Sequence, residues 1–124
     1  MNLMETSDIY LGNDLVDIAR IDCSIKKFGQ KFLDRIYSKS EQVYCMSKSK
    51  PEIHYAGRFA AKEAVIKALK SSGHKPNIPF NSIEILSGNS GEPIVKLNST
   101  INGLCRVSIS HIESHALASA IYFK

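Results

Sequence analysis

Gly57-Arg58-Phe59-Ala60-Ala61-Lys62-Glu63-Ala64-Val65-Ile66-Lys67-Ala68-Leu69 sets four charged side chains in a run that is otherwise apolar or small. At a hundred degrees per residue, Glu63 falls among Ala56, Phe59, Ala60 and Ile66, on a stripe that an amphipathic helix keeps apolar. Lys67 lies one turn further along that stripe. Gly57, Ala61, Ala64 and Ala68 form a second stripe, of small residues that let the helix approach a sheet closely. A helix covered on both stripes must pair its charges, solvate them in a cleft or hold a ligand with them. The plain account is a Glu63 to Lys67 ion pair across one turn, worth about 0.2–0.5 kcal/mol. The density of Arg58, Lys62, Glu63 and Lys67 favours instead a working surface that meets a phosphate-bearing ligand.

Working outward toward the N-terminus, Pro51 suits the first turn of this helix, and Ser38 with Glu41 offers a capping box for a shorter one before it. Lys31 to Ile36 reads as a further helical piece, with Lys31 and Arg35 one turn apart. Gly29 separates it from a helix whose inward face is Ile18, Ile21, Ile25 and Phe28. Ile9 to Val16 reads as a strand that reaches a bend at Asp14, after Gly12 and Asn13. Toward the C-terminus, Gly73, Pro76 and Pro79 introduce strand-like runs at Ile83–Leu86, Ile94–Leu97, Val107–Ser110 and Ala116–Tyr122. Ser87 to Pro93 is the turn of a hairpin joining the first two. Helices followed by antiparallel strands make the expected class α+β, with N-terminal helices packed on a small antiparallel sheet.

A carboxylate beside lysines in a partly closed site can share a divalent cation with phosphate oxygens or take a proton from an attacking hydroxyl. Magnesium uses one or two protein carboxylates and completes its octahedron with phosphate oxygens and water. A second carboxylate is therefore expected, and Asp14 is the candidate.

Three blocks carry a family resemblance: Gly12-Asn13-Asp14-Leu15-Val16-Asp17-Ile18, Gly57-Arg58-Phe59-Ala60-Ala61-Lys62-Glu63-Ala64, and Val107-Ser108-Ile109-Ser110-His111. In that order and separation they resemble the holo-acyl-carrier-protein synthases, the small class of 4'-phosphopantetheinyl transferases, over nearly the whole chain from Ile9. The resemblance implies the fold of that family, assembled as a homotrimer with each active site between neighbouring subunits. It implies transfer of phosphopantetheine from coenzyme A to a serine of apo-acyl-carrier protein, for fatty acid biosynthesis, with magnesium as cofactor. By the same resemblance, Asp14 and Glu63 are metal ligands, Glu63 or a water it holds is the base, and Lys67 steadies the leaving phosphate. Arg58, Lys62, Lys67, Ser108 and His111 fall in the coenzyme A site, with the adenine near Gly91-Glu92-Pro93. Arg20, Lys27, Lys31 and Arg35 match the basic docking surface for the carrier's acidic helix. Departures also show. Asn13 stands where the family has an apolar residue, Lys70-Ser71-Ser72-Gly73 replaces Gly-Thr-Gly, and the polar stretch Asn98–Gly103 is expected to fray or rebuild a short helix.

The whole chain fits this frame. Its 124 residues, 44% hydrophobic, are expected to form one domain spanning 1–124. Cys23, Cys45 and Cys105 are scattered and odd in number, which reads as reduced thiols and not as a disulfide or zinc framework. No basic leader or long apolar run opens the sequence, so a cytoplasmic protein without a membrane segment is expected. The net charge of +4 is uneven: residues 1–19 carry four acids and no base, residues 20–75 thirteen bases and five acids (+8), and residues 76–124 three of each. The basic middle calls for an acidic partner or a polyphosphate. A nucleic-acid module would explain the basic charge, but the chain lacks an RNA-binding aromatic block and opens acidic. A trimeric scaffold whose charged helix makes only interface ion pairs is the third reading. Cys105 with His111 as nucleophile and base is not demanded by any spacing. Tyr44 and Tyr55 read as core or interface.

Overall fold

The charged stretch occupies the central turns of a 21-residue helix, Pro51–Ser71. The computed structural model describes residues 8–74 and 77–124, so Pro76, one of the two prolines expected to open the strand half, lies outside the described residues. In chain order the elements are β1 (Ile9–Asp17), α1 (Ile18–Phe28), α2 (Gln30–Ile36), α3 (Lys39–Met46), α4 (Pro51–Ser71), a 3-10 turn (Phe80–Ser82), β2 (Ile83–Ser87), β3 (Pro93–Leu97), β4 (Leu104–His111) and β5 (His115–Phe123).

Local chemistry sets the helix boundaries. Asp17 caps α1 by accepting a hydrogen bond from the Arg20 amide at 3.3 Å. Gly29, at φ +62, both ends α1 and starts α2, a backbone conformation that favours glycine. Ser38 and Glu41 form the expected reciprocal capping box, and Pro51 opens α4.

The strands are all antiparallel, as expected, but they form two sheets instead of one: a three-stranded sheet in the order β1-β5-β4, and the β2-β3 hairpin. The expected bend at Asp14 is not there. β1 pairs without interruption with β5 from Ile9 opposite Phe123 to Asp17 opposite His115, and Asp14 sits mid-strand opposite Ala118. Gly12 answers to a different demand. A methyl group there would run into the backbone of Ala64 and Ala68, because the small-residue stripe of α4 crosses β1 at this point. Ala61, Ala64 and Ala68 on that stripe are fully buried, as are Ala116 and Ala118 of β5. Close approach of helix to sheet is what places Asp14 beside the later turns of α4.

The other face of the three-stranded sheet is apolar and uncovered. Ile9, Leu11 and Leu15 of β1, Leu117, Ile121 and Phe123 of β5, and Leu104 of β4 are all exposed, from 37% to 67%. One register row across it is polar: Asn13, Ser119 and Ser108 lie side by side. The Asn98–Gly103 stretch is rebuilt as a turn, held by Ile101 N donating to Asn98 O at 2.9 Å and by the Thr100 amide donating to Asn98 Oδ1 at 3.0 Å. No helix among the described residues is long and apolar enough to cross a membrane.

Candidate active site

β1 and α4 bring Asp14 and Glu63 to one cleft of about 410 Å³, whose lining also includes Asp17 and Arg20 and whose apolar wall includes Phe32 and Phe59. Lys67 Nζ reaches across from the next turn of α4, donating to Asp14 Oδ1 at 3.1 Å and to the Asn13 carbonyl at 3.0 Å. The Glu63 to Lys67 pair of the plain account is therefore not formed; Lys67 is the counter-ion of Asp14, 53 residues away in sequence. Burial raises the Glu63 carboxyl above the ordinary carboxylate range. The nearby Asp14 charge adds to that rise, and Lys67 and Lys70 oppose it. Two carboxylates sharing one cleft, with one of them destabilised by the other, form a site that a cation would relieve.

Lys62 does not reach this cleft. Its ammonium is buried and donates to Glu41 Oε1 at 2.7 Å, the Ile36 carbonyl at 2.7 Å and the Phe80 carbonyl at 3.4 Å. Glu41 is equally buried. Its Oε1 also accepts from the Ser38 amide at 2.7 Å, and its Oε2 accepts from the Ile85 amide at 2.8 Å. The pair ties the end of α2, the cap of α3, α4, the 3-10 turn and β2 together. Every donor and acceptor is satisfied by protein, so Lys62 has no proton or charge to offer a ligand here. Sequence reasoning found the Ser38–Glu41 capping box but not its use as a counter-ion, because the partner lies on another helix.

A second cluster forms at the N-terminal part of α4. Arg58 is 5% exposed, donates from Nη2 to Ser87 Oγ at 3.1 Å and lies with Cζ 3.9 Å above the Tyr44 ring. Its Nε has no hydrogen-bond partner. The ion pairs among the described residues are Lys26–Asp22, Lys62–Glu41 and Lys67–Asp14, so this buried guanidinium has no carboxylate. A buried cation left without an anion is a costly arrangement unless an anion arrives. Gly91, at φ +81, and Pro93 line the same cavity of about 150 Å³, together with Tyr44, His54 and Ser87. Tyr44 packs partly buried against the core and is also the aromatic floor under Arg58, whereas Tyr55 is core at 2% exposed. His111 ends β4 and is exposed; Ser108 points outward from the three-stranded sheet.

The two clusters share no cavity among the described residues. Arg58 and Glu63 are five residues apart on α4, about 140° around the helix axis, which directs them to different sides. Sequence reasoning missed Tyr44, His54 and Ser87; His54, one turn before Arg58, was the one with a legible signal. Burial raises the Cys105 thiol to about 11, and on an extended strand His111 lies roughly 20 Å from it, so no thiol–imidazole couple exists. Burial likewise raises the Cys45 thiol to about 12.

On the docking side, Arg20 lines the carboxylate cleft, while Lys31 and Arg35 line an adjoining groove of about 380 Å³ with Phe28 and Phe32. Phe32 forms part of both walls. Lys27 Nζ lies 5.3 Å from the centre of the exposed Phe28 ring.

Comparison with known proteins shows which family the chain is similar to. The model of the 4'-phosphopantetheinyl transferase superfamily matches residues 10–120. A holo-[acyl-carrier-protein] synthase of Protochlamydia amoebophila is 43% identical over 117 residues, covering 90% of this chain and 95% of that protein. The crystal structure of the Helicobacter pylori holo-[acyl-carrier-protein] synthase in complex with coenzyme A is 36% identical. It superposes with a TM-score of 0.78 over 90% of this chain and 98% of that one. The Chronobacterium ammoniagenes ACPS-CoA complex, 27% identical, superposes with a TM-score of 0.81 over 93% and 96%. With the family model matched over almost the whole chain and relatives this similar along their full length, the chain belongs to the holo-[acyl-carrier-protein] synthases of the 4'-phosphopantetheinyl transferase superfamily.

Proposed function

We propose that this chain transfers the 4'-phosphopantetheine arm of coenzyme A to a serine of an apo-acyl-carrier protein, releasing adenosine 3',5'-bisphosphate. The observation that carries this reading is the meeting of Asp14 and Glu63 at one cleft, with Lys67 paired to Asp14, beside a basic groove. The serine oxygen forms a bond to the phosphorus that bears the pantetheine arm as the bond to the bisphosphate oxygen breaks. Such a transfer needs in-line placement and charge neutralisation more than a covalent enzyme intermediate. Glu63, whose raised carboxyl is suited to proton exchange, takes the serine proton directly or through one water. Lys67 leaves Asp14 and steadies the departing phosphate.

Asp14 and Glu63 fit a magnesium ion. Among the described residues no group of three or more metal-binding side chains forms a closed cage, and an open two-carboxylate set is what magnesium accepts when phosphate oxygens and water fill the remaining positions. When bound there, magnesium would neutralise diphosphate charge. Arg58, Gly91, Pro93 and His111 take the nucleotide end of coenzyme A; Ser108, on the outer face of the sheet, meets that ligand only at a boundary between subunits, and Lys62 is reassigned from that site to the scaffold.

The uncovered apolar sheet face supports a homotrimer, since a monomer would leave seven large apolar side chains in water. Assembly also accounts for the separation of the two clusters, because a boundary between subunits can join the Arg58 side of one protomer to the Asp14 side of its partner. The chain acts as one domain, 1–124, in the cytoplasm, and serves fatty acid biosynthesis.

Incubation with apo-carrier protein, coenzyme A and magnesium, followed by mass spectrometry of the carrier, tests the reading. The expected result is a carrier heavier by one phosphopantetheine, with Glu63→Gln reducing the rate about a hundredfold or more. An unmodified carrier across several carrier proteins would return the chain to a scaffold, and unimpaired Glu63→Gln would remove that residue from the chemistry.

A further inference from the structure

We infer that His54 is a further cation of the Arg58 pocket, one that takes up a proton when a phosphate monoester dianion enters, so that nucleotide binding by this chain is coupled to pH. The inference rests on the reading of that pocket as the nucleotide end of the coenzyme A site, and it adds to it a residue and a proton.

His54 precedes Arg58 by one turn on α4, so the two side chains share a face of the helix. Both line the same cavity of about 150 Å³, beside the Gly91–Pro93 turn. The imidazole packs edge-on against Tyr44, with ring centroids 5.8 Å apart and planes at 79°. The same Tyr44 ring carries the Arg58 guanidinium at 3.9 Å and Lys48 Nζ at 4.8 Å. The histidine hydrogen bonds among the described residues belong to His74 and His115, so the His54 ring nitrogens are open.

The charged groups that act on His54 are Lys48 after α3, Arg58 and Glu52 on α4, and His111 at the end of β4, of which only Glu52 is negative, while Ser87, Gly91 and Pro93 on the other wall of the cavity carry no charge. Burial, then Arg58, Lys48 and His111, hold its imidazole below the usual histidine value, and Glu52 opposes this weakly. The ring is therefore neutral near pH 7 while the pocket is empty. A phosphate monoester has its second pKa near 6 and is mostly a dianion at pH 7. Negative charge brought close to an imidazole raises its pKa and favours the charged ring. The sign follows: binding draws in a proton, so affinity falls as pH rises above the phosphate's own pKa. A bland alternative has His54 as an aromatic spacer against Tyr44, which would move no proton.

The test is calorimetric titration of the full-length protein with adenosine 3',5'-bisphosphate near pH 7, in two buffers of different ionisation enthalpy. Wild type is expected to take up a measurable fraction of a proton per site, His54→Phe and His54→Gln to lose most of it, and 3'-dephospho-coenzyme A to elicit little. In turnover, His54→Gln raises KM for coenzyme A about tenfold at pH 7, far more than it lowers kcat. His54→Lys, with a fixed charge, keeps KM low and flattens its pH dependence. Thermal unfolding of each variant confirms a folded protein. Uptake unchanged in both His54 variants, uptake lost only in His111→Gln, or equal uptake with 3'-dephospho-coenzyme A overturns the inference while leaving phosphopantetheine transfer intact. Absence of binding by either nucleotide overturns both the inference and the pocket assignment beneath it.

Discussion

Lys62 and Lys67 stand five residues apart on one helix, in one motif, and the molecule uses them in opposite ways. Lys62 is enclosed, with Glu41 and two carbonyls satisfying its ammonium, and the side chains of that pair are 1% and 0% exposed. Lys67 pairs with Asp14 at 3.1 Å, but its side chain is 52% exposed. An enclosed pair is held by the penalty of leaving either charge alone in a low dielectric, so it cannot open for a ligand. An open pair is worth roughly 0–1 kcal/mol and separates readily when a phosphate competes for the lysine or a cation for the aspartate. Residue type and spacing do not distinguish a scaffold lysine from a working one; the exposure of the lysine head does.

The largest expected effect comes from breaking the enclosed pair. Lys62→Met leaves the Glu41 carboxylate buried without its cation and is expected to cost about 3–5 kcal/mol of stability, read as a fall in the urea midpoint. Adding Glu41→Leu should recover part of the loss; a fully additive double variant would show that the two charges do not act as a pair. Next is Lys67→Ala. Its cost in stability is expected to stay below about 1 kcal/mol, while kcat/KM falls about a hundredfold. A large unfolding effect with little effect on rate would invert the comparison and make Lys67 the structural lysine.

Gly12→Ala tests how the open pair is set in place. Its new methyl group meets the backbone of α4, so a destabilisation of about 1–3 kcal/mol or more is expected, with loss of rate as Asp14 moves from Lys67 and Glu63. This glycine also shows where sequence reading stopped. In the sequence it reads as a sign of a bend, because glycine in a strand marks bends and close approaches alike; only the position of α4 decides between them. The capping box at Ser38 and Glu41, the break at Gly29 and the hairpin turn after Ser87 were legible because each is settled within a few residues. The pairing of Asp14 with Glu63 is expected from a magnesium ion's need for a second carboxylate and strengthened by the family resemblance, since no local rule joins positions so distant. The enclosure of Lys62 was hidden for the same reason: its partners are a side chain 21 residues away and carbonyls of two other elements. Tyr44 reads only as core or interface in the sequence, because an aromatic on a short helix carries no mark of the arginine it lies beneath.

The smallest expected effect concerns charges that form no ion pair among the described residues. Lys26 is held by Asp22 at 2.9 Å, and hydrogen bonding with Asp22 raises its pKa, so it is a poor candidate for a partner's acid. Arg20, Lys27, Lys31 and Arg35 form no ion pair among the described residues, and they flank the carboxylate cleft and the groove that joins it at Phe32. Rim charges of this kind steer an acidic partner more than they bind it. Reversing Arg20 and Lys27 to Glu is therefore expected to raise KM for the carrier protein about tenfold, with a much smaller change in KM for coenzyme A. Wild-type KM for the carrier should rise with ionic strength, and that slope should shrink in the double variant because the screened attraction has been removed. Equal effects on both substrates would mean that the reversal disturbs the cleft itself. In that case Arg20 would belong with the open pair as a residue of the chemistry, and the docking surface would begin only at Lys31 and Arg35.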